Sequence, residues 1–235
     1  MAARFIIVVR QSPNWSLGFD PSEFERLTRR PPGSVADLVR LWDETFRVSF
    51  SEIRQHMKDI ARDSLLAVGV RILDFAAYLD HSPQPSAFYL FTDDDDWFAP
   101  NIIERLRGQE RQQLMIWGSV RFRGSFEFRE IEKFCYTNNY AVRGRLIPEK
   151  ARRLKLLGHG SASKLASRHR VTIVPEYLSV TNKHPASVNM MSEALKGDGL
   201  VKSVRRYLRQ GPVPQECAWA STYAARAAEV FGALV

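Results

Sequence analysis

Four consecutive aspartates, Asp93 to Asp96, follow directly on the apolar run Ala87-Phe-Tyr-Leu-Phe-Thr. The run is short, rich in aromatics and bounded by the breaker-rich His81-Ser-Pro-Gln-Pro-Ser, so it reads as a buried strand. Carboxylates packed this closely repel and raise one another's pKa unless a positive charge sits among them. A divalent cation meets that need, and hard oxygen ligands select Mg²⁺ or Mn²⁺. Strand termini in open α/β sheets are also where ligands bind. Alternate side chains of an extended segment share a side, so Asp93 and Asp95 can face one metal while Asp94 and Asp96 face elsewhere. The plainer reading is an acidic surface loop in which Asp94 or Asp96 caps a turn or the next helix. It accounts for one or two aspartates and leaves the others unexplained.

The rest of the chain reads as α/β. Arg4 to Val9 forms a first buried strand, ended by Gln11-Ser-Pro-Asn. Ser34 caps a short helix, and apolar residues at three- and four-residue steps predict a long helix from Ser51 to about Asp80. After the acidic run, Pro100 takes the first position of a helix over 101–107. Leu114 to Ser119 is a strand, and residues 120–129 alternate around Gly124-Ser125 as a hairpin does. Phe134 to Val142 is a strand or strand-flanked loop around Asn138-Asn139. Helices are expected over 149–157 and 162–167, a strand over 171–180 broken at Pro175, and closing helices over 200–209 and 216–235. With 235 residues, one domain is expected: residues 1–107 as one half, 108–235 as the other.

Charge divides the same way. Residues 1–100 hold 15 acidic and 11 basic side chains, and residues 101–235 hold 11 acidic and 23 basic, so a net +8 resolves into −4 and +12. The acidic excess of the first half is the aspartate run itself. The basic half suits a phosphate-bearing partner, although 26 of the 34 basic residues are Arg and solvated surfaces account for many of them. No stretch approaches the ~20 apolar residues of a membrane span, and the first residues lack the features of a signal peptide. The expected location is the cytoplasm, with Cys135 and Cys217 as free thiols.

A hydrophobic strand, then Thr92-Asp-Asp-Asp-Asp-Trp-Phe-Ala-Pro, then a helix resembles the DxD segment of nucleotide-sugar glycosyltransferases of the GT-A fold, especially bacterial family-2-like enzymes and rhamnosyltransferase-like proteins. The resemblance implies a single GT-A-like domain: a mixed, mainly parallel sheet flanked by helices, with a helical C-terminal segment. It implies a nucleotide-sugar-binding half (1–107) and an acceptor-side half with closing helices (108–235). Asp93 and Asp95 match the outer aspartates that contact the metal and the nucleotide-sugar diphosphate, Asp94 holds the variable place, and Asp96 is the frequent extra carboxylate. Tyr136-Thr-Asn-Asn-Tyr-Ala-Val-Arg is similar to an Asn-containing loop of the family, and Tyr177 to Ser187 to its closing segment. Where the family offers a Glu-Asp pair, this chain has Leu157-Gly-His-Gly, so a histidine stands in place of the expected carboxylate base.

The implied activity is transfer of a sugar from a nucleotide-diphosphate sugar to a saccharide or other hydroxyl acceptor, in bacterial polysaccharide or glycoconjugate synthesis. The cofactor is Mn²⁺ or Mg²⁺. No nucleic-acid partner is expected, and acceptors held on a membrane are compatible with peripheral contact. His159, between two glycines, suits deprotonation of an acceptor hydroxyl; a glycine-bounded turn is its plainer reading. His184 is either a third metal ligand or a loop-shaping residue. Arg10, at the end of the first strand, stands where this fold contacts the nucleotide. Lys183, Arg143 and Arg145 are candidates for closing over the diphosphate, or plain surface cations.

Two other classes fit parts of the chain. Phosphoryl-transfer enzymes of the haloacid type also carry Asp-x-Asp after a strand, but on the first strand. A nucleic-acid-binding module would use Arg121-Phe-Arg and Phe126-Glu-Phe-Arg as a stacking platform, unless those Phe residues face the core.

Overall fold

The computed structural model describes residues 3–10, 69–93, 96–128, 138–147, 161–184, 199–209 and 211–232. The expected helices after Ser34 and over 149–157, most of the helix begun at Ser51, and Cys135 lie outside them.

The described residues form an eight-stranded sheet. In chain order its strands are β1 (Phe5–Arg10), β2 (Arg71–Asp74), β3 (Phe88–Asp93), β4 (Trp97–Phe98), β5 (Leu114–Phe122), β6 (Phe126–Phe128), β7 (Tyr140–Arg143) and β8 (Val171–Asn182). The helices are α1 (Phe75–Asp80), α2 (Ile102–Leu106), α3 (Ser161–Ala166), α4 (Gly199–Leu208) and α5 (Ser221–Gly232), the last preceded by a 3₁₀ segment over Gln215–Ala220. Across the sheet the order is β2-β1-β3-β7-β5-β8-β4, with β6 paired to the far end of β5. Strands β1, β2, β3, β5 and β8 run one way, and β4, β6 and β7 run against them. The fold class is thus α/β on a mixed sheet. None of the described helices is long and apolar enough to cross a membrane.

Both faces of the sheet are covered, which is why its strands read as near-continuous apolar runs. Phe5, Ile7, Phe88, Leu90, Met115 and Trp117 point to one face and pack under α2 through Ile102, Ile103 and Leu106. Their neighbours Ile6, Val8, Tyr89, Phe91 and Ile116 point to the other, against Tyr78 of α1 and Leu165 of α3.

Three local readings need correction. The helix expected to run through to Asp80 is interrupted. Gly69 adopts φ 74°, a left-handed conformation that stops a helix. Residues 71–74 then pair in parallel with β1 before α1 begins. Helix α2 starts at Ile102 with Asn101 as its N-cap, so Pro100 precedes the cap instead of occupying the first turn. Pro175 does not end the strand around it. β8 runs unbroken over 12 residues, and the register against β5 slips where Trp117 faces Val174 and Gly118 faces Tyr177. Pro175 thus sits in a bulge, where its missing N–H costs no ladder bond.

The connection from β3 to β4 shapes the whole sheet. In a flat sheet those strands lie four spacings apart, roughly 19 Å at ~4.8 Å each. Asp93 and Trp97 are four residues apart, and four extended residues reach at most about 14 Å. The sheet must therefore curl, and it does so around the acidic run. Trp97 pairs with Val180 and Phe98 with Ser179, while the Trp97 ring packs 5.5 Å from Phe122 and Phe98 lies edge-on to Trp117 at 6.3 Å.

Candidate functional site

Because five strands share a direction, their C-terminal ends lie along one edge of the sheet, where α/β proteins bind ligands. Arg10 and Asp93 are register partners there, at the ends of adjacent parallel strands. Asp74 ends β2 on the other side of β1, beside Val9. Antiparallel β7 begins near the same edge. Asn138 and Asn139 lie in the turn that leads into it.

Asp93 is half-buried. The chain turns at once, with the Asp96 amide donating to the Asp93 carbonyl at 3.2 Å. The Asp96 carboxylate is engaged by the end of β8: its Oδ1 accepts the backbone N–H of Asn182 at 3.0 Å. Asp96 thus ties the acidic run to the end of β8, immediately before Lys183 and His184. The Lys183 amide donates to the Phe122 carbonyl at 2.8 Å, and His184 is buried. The acidic run and the Asn182-Lys183-His184 segment, far apart in sequence, are brought together.

A polar network lies under this junction. Asn138, fully buried, accepts from the Ser119 hydroxyl at 3.2 Å and from Thr181 at 3.4 Å, and its Nδ2 donates to the Val180 carbonyl at 3.3 Å. Asn139 donates to the Trp117 carbonyl at 3.0 Å, and the Trp117 indole N–H donates to Ser179 at 3.1 Å. Tyr207, on α4, donates to the Asn182 side-chain oxygen at 3.0 Å. Each hydroxyl and amide here satisfies a neighbour that burial would otherwise leave costly. The network fixes β5, β8, the turn before β7 and α4 relative to one another.

Behind it is an aromatic stack. Trp97 lies against Tyr223 of α5 at 5.5 Å with rings 21° apart, and Phe122 meets Tyr207 edge-on at 5.0 Å. Burial pushes the Tyr223 hydroxyl up to about 12. It pushes the Cys217 thiol up to about 11, with Glu216 adding to the effect. Cys217 is a free, buried thiol, as expected from the sequence.

The expected site residues divide accordingly. Arg10, Asp93, Lys183 and His184 lie at one edge. Asp94, Asp95 and His159 lie outside the described residues. Among the described residues no group of three His, Cys, Asp or Glu converges as a ready metal site. The acidic run nonetheless offers an all-oxygen donor set, the chemistry a hard divalent cation takes. Arg143 and Arg145 are excluded from the diphosphate side. Arg143 pairs with Phe88 at the opposite end of β3, about 16 Å of strand from Asp93. Its guanidinium lies 4.3 Å over the Phe88 ring and donates to the Ser86 and Glu110 carbonyls, while Arg145 donates to Gln113. Of the Phe residues in the alternative stacking platform, Phe122 is buried against Trp97, Phe126 and Tyr207, Phe126 is half-buried, and Phe128 is exposed.

Sequence reasoning missed Asp74, Asn182 and Tyr207. Gly69 was the signal for Asp74, since a glycine can take the left-handed turn that lets residues 71–74 start a strand. Nothing local signals Tyr207, whose partner is 25 residues away. Comparison with family models, with characterised proteins and with solved structures gave no match.

Proposed function

We propose that the chain is a metal-dependent glycosyltransferase that uses a nucleotide-diphosphate sugar and a hydroxyl acceptor. The observation that carries this reading is the arrangement at one sheet edge. Asp93 ends a parallel strand beside Arg10, and the acidic run is latched through Asp96 to the Asn182 amide, next to Lys183 and His184. Asp93 and Asp95 would hold the cation, with His184 as a candidate nitrogen donor, while Asp96 keeps the run in place. Bound there, a divalent cation would neutralise charge on a leaving diphosphate.

The protein's own groups supply the rest. Arg10, at the end of β1, and Lys183, just past the end of β8, are the candidate cations for a phosphate. The buried Asn138 network keeps the edge rigid, so that carboxylates and cations meet a ligand without reorganising. His159 is the candidate base for the acceptor hydroxyl in this proposal.

The test is thermal stabilisation by nucleoside diphosphates with Mn²⁺ or Mg²⁺, in the native protein and in Asp93→Ala and Asp95→Ala. Stabilisation that requires both metal and one nucleotide, and is lost in both variants, is the expected result. Phosphate release from sugar phosphates without donor-sugar consumption would instead assign the edge to phosphoryl transfer.

A further inference from the structure

The edge of the sheet opposite the candidate site collects arginines. The strands that share a direction bring their N-terminal ends together there. Arg71 opens β2, Arg4 precedes β1, Arg111 lies in the turn before β5, and Arg168 and Arg170 lie between α3 and β8. The register holds these ends level. Ile6 pairs with Arg71, Phe5 with Phe88, Phe88 with Arg143, and Leu114 with both Val142 and Val171. All five of these arginines are exposed. Among the described residues, none of the five is paired with a carboxylate. Arg143 and Arg145 stand at the same edge but are engaged, by the Ser86 and Glu110 carbonyls and by Gln113. The acidic residues at this end are Asp80, which closes α1, and Glu110, whose Oε2 accepts the Gly108 amide at 2.7 Å.

From β2 to β8 this row crosses five strand spacings, about 24 Å along the sheet at ~4.8 Å each. Like charges held in such a row repel one another, and a polyanion laid along it relieves the repulsion. We propose that this edge binds the phosphodiester backbone of single-stranded nucleic acid, without reading its sequence. The length of the row selects a polymer charged at every unit, since a lone phosphate or nucleotide would meet only one or two of the five. All five cations are Arg, whose planar fork takes two phosphate oxygens at once. Adjacent strands of a sheet are rotated by roughly 20 to 25°, so over five spacings the strand directions turn through about 100°. The row therefore winds with the sheet. A flexible single strand follows such a course, whereas a flat bilayer or a stiff duplex meets only part of it. The glycosyltransferase resemblance implies no such partner, and the binding stands independently of that reading.

The experiment is fluorescence anisotropy of a labelled 20-nucleotide oligodeoxythymidine titrated with the full chain, without metal or sugar donor. Saturable binding is expected at 50 mM salt. Neutralising about five phosphates of a single strand should make it about 100-fold weaker at 200 mM. The triple variant Arg4→Ala, Arg168→Ala, Arg170→Ala should bind about tenfold more weakly or worse, with a logarithmic salt slope smaller by about 2 and an unchanged melting temperature. The same three positions changed to Lys keep their charge and should keep the slope. The double variant Arg205→Ala, Arg209→Ala, on α4, should bind as the native protein does. Absence of saturable binding, full binding by the Ala triple, loss of slope in the Lys triple, or an equal loss in the α4 variant overturns the proposal. So does tighter binding to phosphatidylglycerol vesicles or to a 20-base-pair duplex. Because no donor is present, these outcomes leave the enzymatic reading to its own test.

Discussion

The carboxylate of Asp96 accepts the backbone N–H of Asn182 at 3.0 Å across 86 residues of chain. A hydrogen bond to an ionised acceptor is worth more than a neutral one, and this one joins the acidic run to the strand carrying Lys183 and His184. Asp96→Ala should destabilise the protein by about 2 kcal/mol, a fall in melting temperature of about 4 to 8 °C for a chain of this size. Asp96→Asn keeps an acceptor oxygen and should cost less than half of that. Thermal melts of the two variants check the order; equal losses would mean that the bond contributes nothing of its own.

Tyr207→Phe removes the donor to the Asn182 side chain and leaves a buried oxygen unpaired. The expected cost is about 1 to 2 kcal/mol, read by urea denaturation. Loss of nucleotide-dependent stabilisation beyond that amount would show that α4 also sets the geometry of the site edge.

Gly124→Ala should be among the most damaging small changes. Gly124 sits at φ 86°, and an added Cβ would fall on the Arg206 carbonyl oxygen and the Tyr207 backbone. Neither is a flexible side-chain end that could yield. A loss of at least about 2 kcal/mol is expected. By contrast Gly108, also at positive φ, has open space around it, so Gly108→Ala should cost only about 1 kcal/mol of backbone strain. Melting temperatures of the two variants measure the difference.

Tyr223 gives the protein a specific alkaline limit. Its hydroxyl is buried without a hydrogen-bond partner among the described residues, and burial raises it from 10.0 to about 12. The neutral phenol is thus the form the folded state favours. Its contribution is whole below pH 10 and is lost as the pH rises toward 12, on the order of 2 to 3 kcal/mol. Tyr223→Phe should flatten that fall. At neutral pH it should leave stability unchanged or raise it by up to about 1 kcal/mol, since an unpaired polar group has been removed. Denaturation curves at pH 8, 10 and 11.5 test both parts.

The parts of the architecture legible in the sequence were those set by local composition. The run from Phe88 to Thr92 has no polar residue before its end, so only a doubly covered strand suits it, and the carboxylates that follow mark a strand end. Gly124-Ser125 between alternating segments likewise fixed a hairpin. Features set by pairing partners were not legible. Ile72 continues the apolar spacing expected of a helix from Ser51, and the left-handed turn at Gly69 outweighs that spacing only because β1 offers residues 71–74 an edge to pair with. Pro175 reads as a strand break until β5 supplies a partner that tolerates a bulge. Arg143 and Arg145 looked available for a phosphate because charge alone does not say which end of a strand a residue occupies. Asn182, in contrast, lay inside a segment singled out for its Lys-His-Pro ending, and its role became visible only with Asp96 beside it.

The short span from Asp93 to Trp97 has a consequence for how this chain tolerates change. Ordinary surface loops absorb inserted residues cheaply, each doubling of length costing about 0.6 kcal/mol in closure entropy. Here the Asp96 amide closes a tight turn on the Asp93 carbonyl, and an inserted or deleted residue would break that turn. Either change would carry Asp96 off the Asn182 amide. The length of the acidic run therefore matters to the structure as well as its charge, and a variant that keeps all four aspartates but adds a glycine between them should melt lower, as Asp96→Ala should.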